Sequence, residues 1–564
     1  MIDQADAVQA GSDGFQLELK RVAAGGAVDI PALFPWLTAP TVSERAAANR
    51  RIGEALLQSG RGRDATLYYE RAWRLEGPPV GCEFQLPDLL FQAKRPRDAL
   101  DCLREVAFDA ARNGRLDVLS RAVVFFQQYS THGDRPQQDH IVSRMAAEAF
   151  QAAAGDPPPA TPLDGRIFRV GYVLYCEQDP KSTLPPIYPN YARHHDPKRV
   201  EARFYSFLTR EEVLKTNPGF ERIEAELAAR GQVLTYVGDT SGPYSRAASV
   251  AAAMRKDGID AALLNYGLYN NFILACLRPA PLVATIDFGD PQQYTAIPMD
   301  VNFTRFEHFK MESMCRAEEL GLYFPRAVPD RSEAYARAEL GFPEDQPVVI
   351  CCGATYKFAN PRFWGTIIMA QGIERRGFYV FVGITEEDLP DGVKDKLDLS
   401  RCRFLGFRTD FSRILPAADI LLDTFPMGGG HTLLEAMAHG IPCVMLAHDF
   451  KRLFDKRYNY FPYATLPYIK DLTVPAERLD QVALTLINLI RSPDERARFG
   501  QAGRSMYAEA MDGPAFMRRL EGMLMGEYDA IRQARDAETG GAAADMLRKK
   551  GVDTANSGNA IAET

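Results

Sequence analysis

The segment from Ile420 to Leu446 constrains the fold of this 564-residue chain more than any other. An apolar run, Ile420 to Leu422, ends at Asp423 and reads as a buried strand. Three glycines follow (Gly428, Gly429 and Gly430), and His431 and Thr432 then open a helical pattern. Leu433, Leu434, Met437 and Ala438 give that helix an apolar face; Gly440 stops it, and Cys443 to Leu446 reads as a second buried strand. Strand, glycine-rich turn, helix N-terminus and strand is an arrangement that holds a phosphate. Bare amides and the positive end of the helix dipole face the anion, and glycine lets the backbone approach. An ordinary tight turn also uses glycine, but the polar residues after this one fit a nucleotide. Glu435 lies one helical turn beyond His431, where its carboxylate reaches both hydroxyls of a ribose.

The rest of the chain supplies several domains, since single cores rarely exceed roughly 250–300 residues. Residues 1–41 read as an N-terminal extension and residues 42–155 as helices only. Leu56, Gly60 and Ala65 are matched by Leu90, Lys94 and Ala99, each 34 residues later. That is the period of tetratricopeptide-like helix pairs, whose small residues let helices pack closely, and such a region contacts a protein partner or substrate. A Pro-rich break (Pro157, Pro158, Pro159, Pro162) is followed by alternation of strands and helices. Strands are expected at 167–174, 202–207, 233–237, 261–264 and 282–286, and helices at 219–230 and 247–256. The alternation restarts after a Pro-containing join, with strands at 348–351, 379–382, 403–405, 420–422 and 443–446. The expected architecture is α/β: two successive doubly wound domains, 163–330 and 331–534, behind an all-α domain, with a disordered tail at 535–564. Ligands would sit at the carboxyl ends of the strands.

Composition narrows the function. The formal net charge of −8 is spread along the chain and argues against a nucleic-acid surface. Nine cysteines lack metal-ligand spacing, which suits a reducing compartment and no disulfide framework. The polar, acidic N-terminus is no signal peptide and no apolar run approaches a membrane span, so a cytoplasmic location is expected.

Two further segments carry chemistry. In CCGATYKFANPRFW, Lys357 follows the first strand of the second domain, where a cation neutralises a diphosphate; Thr355 is a neighbour, and Asn360 before Pro361 starts the next helix. In RFLGFRTDF, Gly406, Phe407 and Arg408 follow a short strand, and a loop there holds a base through backbone hydrogen bonds. Asp410 and Phe411 are expected to begin the following helix.

Together, Lys357, the Phe407–Arg408 loop and the turn and helix from Gly428 to Glu435 resemble the donor half of a GT-B glycosyltransferase. More specifically, the chain is similar to the family of O-GlcNAc transferases and bacterial HMW1C-type protein N-glucosyltransferases. ATYKFANPRF resembles that family's diphosphate-contacting segment, and LLDTFPMGGGHT its phosphate-binding turn. LRPAPLVATIDFGDP and RVGYV lend support, and the likeness covers roughly residues 166–530. The resemblance implies a GT-B fold of two Rossmann-like domains and a nucleotide-diphosphate sugar donor, UDP-linked, with no other cofactor. It also implies inverting transfer without a metal, and the chain contains no Asp-x-Asp. The implied acceptor is a polypeptide, a surface adhesin or flagellin among the candidates. A glycan or lipid acceptor, a nucleotide-sugar epimerase and a non-catalytic adaptor with a degenerate transferase domain are the rival readings.

The acceptor half departs from the family. Where the family has histidines after the first strand, this chain offers Glu177, Asp179 and Lys181, and Asp260 stands where another histidine is expected. Asp179 and Asp260 are therefore the candidate catalytic bases. His194 and His195, at a turn before Asp196-Pro197, are expected on the surface.

Overall fold

The computed structural model describes residues 4–132, 140–174, 176, 187–237, 241–264, 270–286, 299–304, 316–320, 328, 330–425, 430–447, 473–475, 478–510 and 512–549. The chain begins with eight helices: α1 (Gln4–Ala23), α2 (Ile30–Leu37), α3 (Val42–Gln58), α4 (Gly62–Glu76), α5 (Gln85–Gln92), α6 (Pro96–Arg112), α7 (Leu116–His132) and α8 (His140–Ala154). The 34-residue offset is visible in the elements themselves. Gln58 ends α3 and Gln92 ends α5, while Gly62 starts α4 and Pro96 starts α6. Leu56, Ala65, Leu90 and Ala99 are all buried, as close helix pairing requires. Residues 4–41 do not stand apart from this domain. Phe15, Leu19 and Val22 of α1 and Leu33 of α2 enter its core, because each of these helices carries an apolar stripe.

The first α/β domain is a seven-stranded sheet in the order β3-β2-β1-β4-β5-β6-β7. Its strands are β1 (Phe168–Val173), β2 (Val200–Ser206), β3 (Val233–Tyr236), β4 (Ala261–Leu264), β5 (Leu282–Ile286), β6 (Val301–Thr304) and β7 (Arg316–Glu319). Every pairing is parallel. The second sheet, also parallel throughout, runs β10-β9-β8-β11-β12-β13. It is built from β8 (Val348–Cys352), β9 (Phe378–Val382), β10 (Cys402–Phe404), β11 (Ile420–Leu422), β12 (Cys443–Ala447) and β13 (Thr473–Pro475). Central strands such as β4 (AALL) and β11 (ILL) are apolar along their whole length because helices cover both faces.

The helical domain and the first sheet share one apolar core. Leu119, Val123 and Phe150 belong to the same cluster as Val250 and Ala251 of the helix Pro243–Lys256 and Ile273 of the helix Asn270–Cys276. The Tyr244 amide donates to Ser120 Oγ at 3.2 Å, and the Phe150 and Tyr244 rings stack at 5.8 Å.

Residues beyond 512 depart from expectation. A single helix, Gly513–Lys549, replaces both the end of the second domain and the start of the disordered tail. Its apolar side chains Phe516, Met517, Leu520, Leu524 and Tyr528 join Phe168, Val170, Tyr172 and Phe204 in the core of the first sheet. The Tyr528 hydroxyl accepts from the Thr161 amide at 2.8 Å, so this helix is fastened to the entry of the first α/β domain. Residues 550–564 lie outside the described residues.

Candidate functional site

The second sheet changes its direction of growth between β8 and β11: β9 and β10 lie on one side of β8, and β11 to β13 on the other. In a parallel α/β sheet such a reversal is the place where ligands bind, outside the carboxyl ends of the two strands. Lys357 sits just beyond β8, in the 3-10 turn Thr355–Phe358, with its stem folded over Gly353. Its ammonium is half-buried, and loss of water holds its pKa below the ordinary 10.5, opposed by the Asp423 carboxylate and the Cys352 thiol. Asp423, at the end of β11, is itself buried. Cys352 ends β8, hydrogen-bonds with the Thr432 side chain, and is pushed up to about 12 by burial and then by the Glu435 carboxylate. Of the residues singled out from sequence, Lys357, Thr432 and Glu435 are thus grouped around Cys352, with Asp423 beside Lys357; the sequence pattern presents Cys352 and Asp423 only as strand residues.

Gly428 and Gly429 lie outside the described residues. Gly430 and His431 are the first two residues of the helix Gly430–His439, so the helix opens at the expected point. Thr432, in its first turn, hydrogen-bonds with Cys352, which also interacts with Lys357. Glu435 is only 2% exposed, and the Ser412 hydroxyl donates to its Oε2 at 2.9 Å.

The candidate base loop is built by glycine. Gly383 follows β9 with φ +106°, and a Cβ there would lie 1.8 Å from the Gly353 carbonyl oxygen. The Gly383 amide donates to the Gly406 carbonyl at 2.7 Å, and Thr355 Oγ1, on an exposed residue, donates to the Gly383 carbonyl at 3.3 Å. Phe407 is 59% exposed at the tip of this loop. Arg408 turns back to Asp410, with Nε at 2.8 Å and Nη2 at 2.6 Å from its carboxylate oxygens. The Tyr335 hydroxyl donates to the same carboxylate at 2.8 Å. Asp410 and Phe411 begin the helix Phe411–Ile414, and Asn360 caps the helix Pro361–Ile373, both as expected.

The candidate bases of the first α/β domain differ from expectation. Asp179 lies outside the described residues. Asp260 precedes β4 and so stands at the amino end of the first sheet, opposite the edge where ligands bind. Arg166 donates to both of its oxygens at 2.7 Å, and the Arg169 amide adds a third bond at 2.9 Å. A carboxylate so saturated, at that end, holds the sheet together and is no base. His195 also departs from expectation: its side chain is buried. Nε2 lies 2.6 Å from the Tyr172 hydroxyl, and Nδ1 lies 2.9 Å from Glu521 of the C-terminal helix. The apolar spacing around β1 and the helix Ile187–Ala192 was the available signal, since a turn that follows a buried helix is drawn inward with it. Among the described residues no three His, Cys, Asp or Glu side chains are grouped so as to hold a metal ion, and no helix is long and apolar enough to cross a membrane.

No protein-family model matches the chain, and no curated protein sequence matches it. Solved structures do. An O-GlcNAc transferase mutant from Thermobaculum terrenum aligns over 95% of this chain and 100% of its own, with a TM-score of 0.55 and 18% identity. A glycosyltransferase from Rickettsia africae aligns over 64% of this chain and 99% of its own, at TM-score 0.47 and 11% identity. At such identity the first likeness speaks to the fold. The chain has the GT-B architecture of two Rossmann-like domains, preceded by a helical domain.

Proposed function

We propose that the chain is a glycosyltransferase that moves a sugar from a UDP-linked donor to a protein side chain, with inversion and without a metal. The observation that carries this reading is that Cys352, at the carboxyl end of β8, interacts with both the Lys357 ammonium and Thr432 in the first turn of the helix Gly430–His439. Two sources of positive potential at one site suit a diphosphate. The resemblance in ATYKFANPRF and LLDTFPMGGGHT, together with the GT-B fold, supports a sugar nucleotide over other diphosphates.

The chemistry is a single displacement. An acceptor heteroatom attacks the anomeric carbon from the face opposite the diphosphate, and the breaking C–O bond leaves its electron pair on the nucleotide. Lys357 and the helix amides stabilise that charge as it develops. A carboxylate takes the acceptor proton. With Asp260 bound to Arg166, Asp179 is the proposed base. A polypeptide acceptor, such as an adhesin or flagellin, is supported by the helical domain, which shares its core with the first α/β domain.

Radiolabelled UDP-sugars incubated with a cell extract and the protein test this reading. Label in a protein band supports it, and label in the lipid fraction transfers it to a lipid acceptor. Transfer that survives Lys357→Ala unchanged would sink the donor-site assignment.

A further inference from the structure

We propose that Ser412 is a positioning residue: its hydroxyl fixes the orientation in which Glu435 meets the ribose of the bound nucleotide. The inference rests on the donor-site reading above and adds a residue outside the phosphate-binding turn. Ser412 and Glu435 are 23 residues apart and both buried, and Ser412 Oγ donates to Oε2 at 2.9 Å. Each end of that bond is anchored. Glu435 stands on the helix Gly430–His439, whose neighbouring side chains Leu433, Leu434, Ala436 and Met437 are packed in the core of the second domain. Ser412 stands on the helix Phe411–Ile414, which Tyr335 clamps from outside. The Tyr335 amide donates to the Arg413 carbonyl at 3.0 Å, its ring lies 4.2 Å beneath the Arg413 guanidinium, and its hydroxyl bonds Asp410.

A glutamate has three side-chain torsions, and freezing them on binding costs affinity. A hydroxyl already fixed on one oxygen removes part of that cost in advance and leaves the carboxylate in a single plane. Bidentate recognition of two vicinal hydroxyls needs such a plane. A merely structural Ser412 would satisfy a buried carboxylate and nothing more, so its loss would weaken every nucleotide equally. A positioning Ser412 acts on the ribose hydroxyls alone.

The test is calorimetric titration of the full chain with UDP and with 2′,3′-dideoxy-UDP, which lacks both hydroxyls. The wild type is expected to prefer UDP by roughly tenfold, the worth of a hydrogen bond to a charged group. In Ser412→Ala the preference should fall to within about twofold, through weaker UDP binding with 2′,3′-dideoxy-UDP nearly unchanged. Ser412→Thr, which keeps the hydroxyl, should restore most of it, and thermal unfolding of each variant reports on folding. Preference retained in Ser412→Ala, or equal loss for both nucleotides, overturns the assignment of Ser412 alone. A wild-type chain that binds neither nucleotide overturns the donor-site reading and this inference with it.

Discussion

Arg166 grips both oxygens of Asp260 at 2.7 Å, across the amino end of the first sheet. The Arg166 guanidinium also donates to the Tyr528 hydroxyl at 3.1 Å, so this one ion pair joins the domain entry, β4 and the C-terminal helix. Asp260→Asn should therefore cost about 2–4 kcal/mol of stability, the usual penalty for breaking a half-buried, hydrogen-bonded charge pair. Urea denaturation measures the loss. Turnover per folded molecule should stay near that of the wild type; a collapse of turnover at unchanged stability would return Asp260 to the chemistry.

If the proposed donor site is right, Lys357 should set a pH limit on nucleotide binding. Its pKa is lowered by burial, so its proton leaves below the ordinary 10.5 and the ammonium is lost as pH rises through that lowered value. UDP affinity should be constant at neutral pH and fall on the alkaline side, and Lys357→Ala should abolish the fall along with roughly a hundredfold of affinity or turnover. Titration calorimetry across pH shows both. An alkaline fall that persists in Lys357→Ala assigns it to another group.

Gly383 carries the tightest backbone approach at the site. With φ at +106°, the methyl carbon of an alanine there would lie 1.8 Å from the Gly353 oxygen, which leaves no room for any side chain. Gly383→Ala should destabilise the second domain by about 3 kcal/mol or more and displace the Phe407 loop. A two-step thermal melt in which only one transition moves is the expected signature.

Lys94 occupies the turn position that Gly60 occupies one repeat earlier, with φ +59° against +76°. A lysine is strained in a left-handed backbone that glycine adopts freely. Lys94→Gly should raise stability by about 0.5–1 kcal/mol, read as a higher urea midpoint. No change would mean that the turn relaxes without strain.

Much of this is legible in the sequence because the central strands are buried on both faces. Apolar runs such as Ala261–Leu264 and Ile420–Leu422 announce themselves wherever helices cover a parallel sheet. β7, with the sequence RAEE, and β13, with TVP, do not, because edge strands can be polar or short and still pair through the backbone. β6 is hidden for a different reason: Asn302 interrupts an otherwise apolar VNFT. The candidate site is readable where glycine and a cation follow a strand directly. Ser412 and Asp423 escape notice because their roles depend on partners 23 and 66 residues away in sequence, Glu435 and Lys357. The family pattern misleads at Asp260, although its place before β4, at the amino end, is already implied by the strand boundaries.

The fastening of Tyr528 to Thr161 spans 367 residues and has a consequence for synthesis. The ribosome completes β1 and β2 long before it makes the helix that shares their core. At roughly 5–20 residues per second, the interval is on the order of tens of seconds. During that time part of the apolar surface around Phe168 and Tyr172 has no permanent cover. The nascent chain is thus expected to need holding factors until the helix that starts at Gly513 emerges, and a premature stop before that residue should yield an aggregation-prone product rather than a smaller folded one.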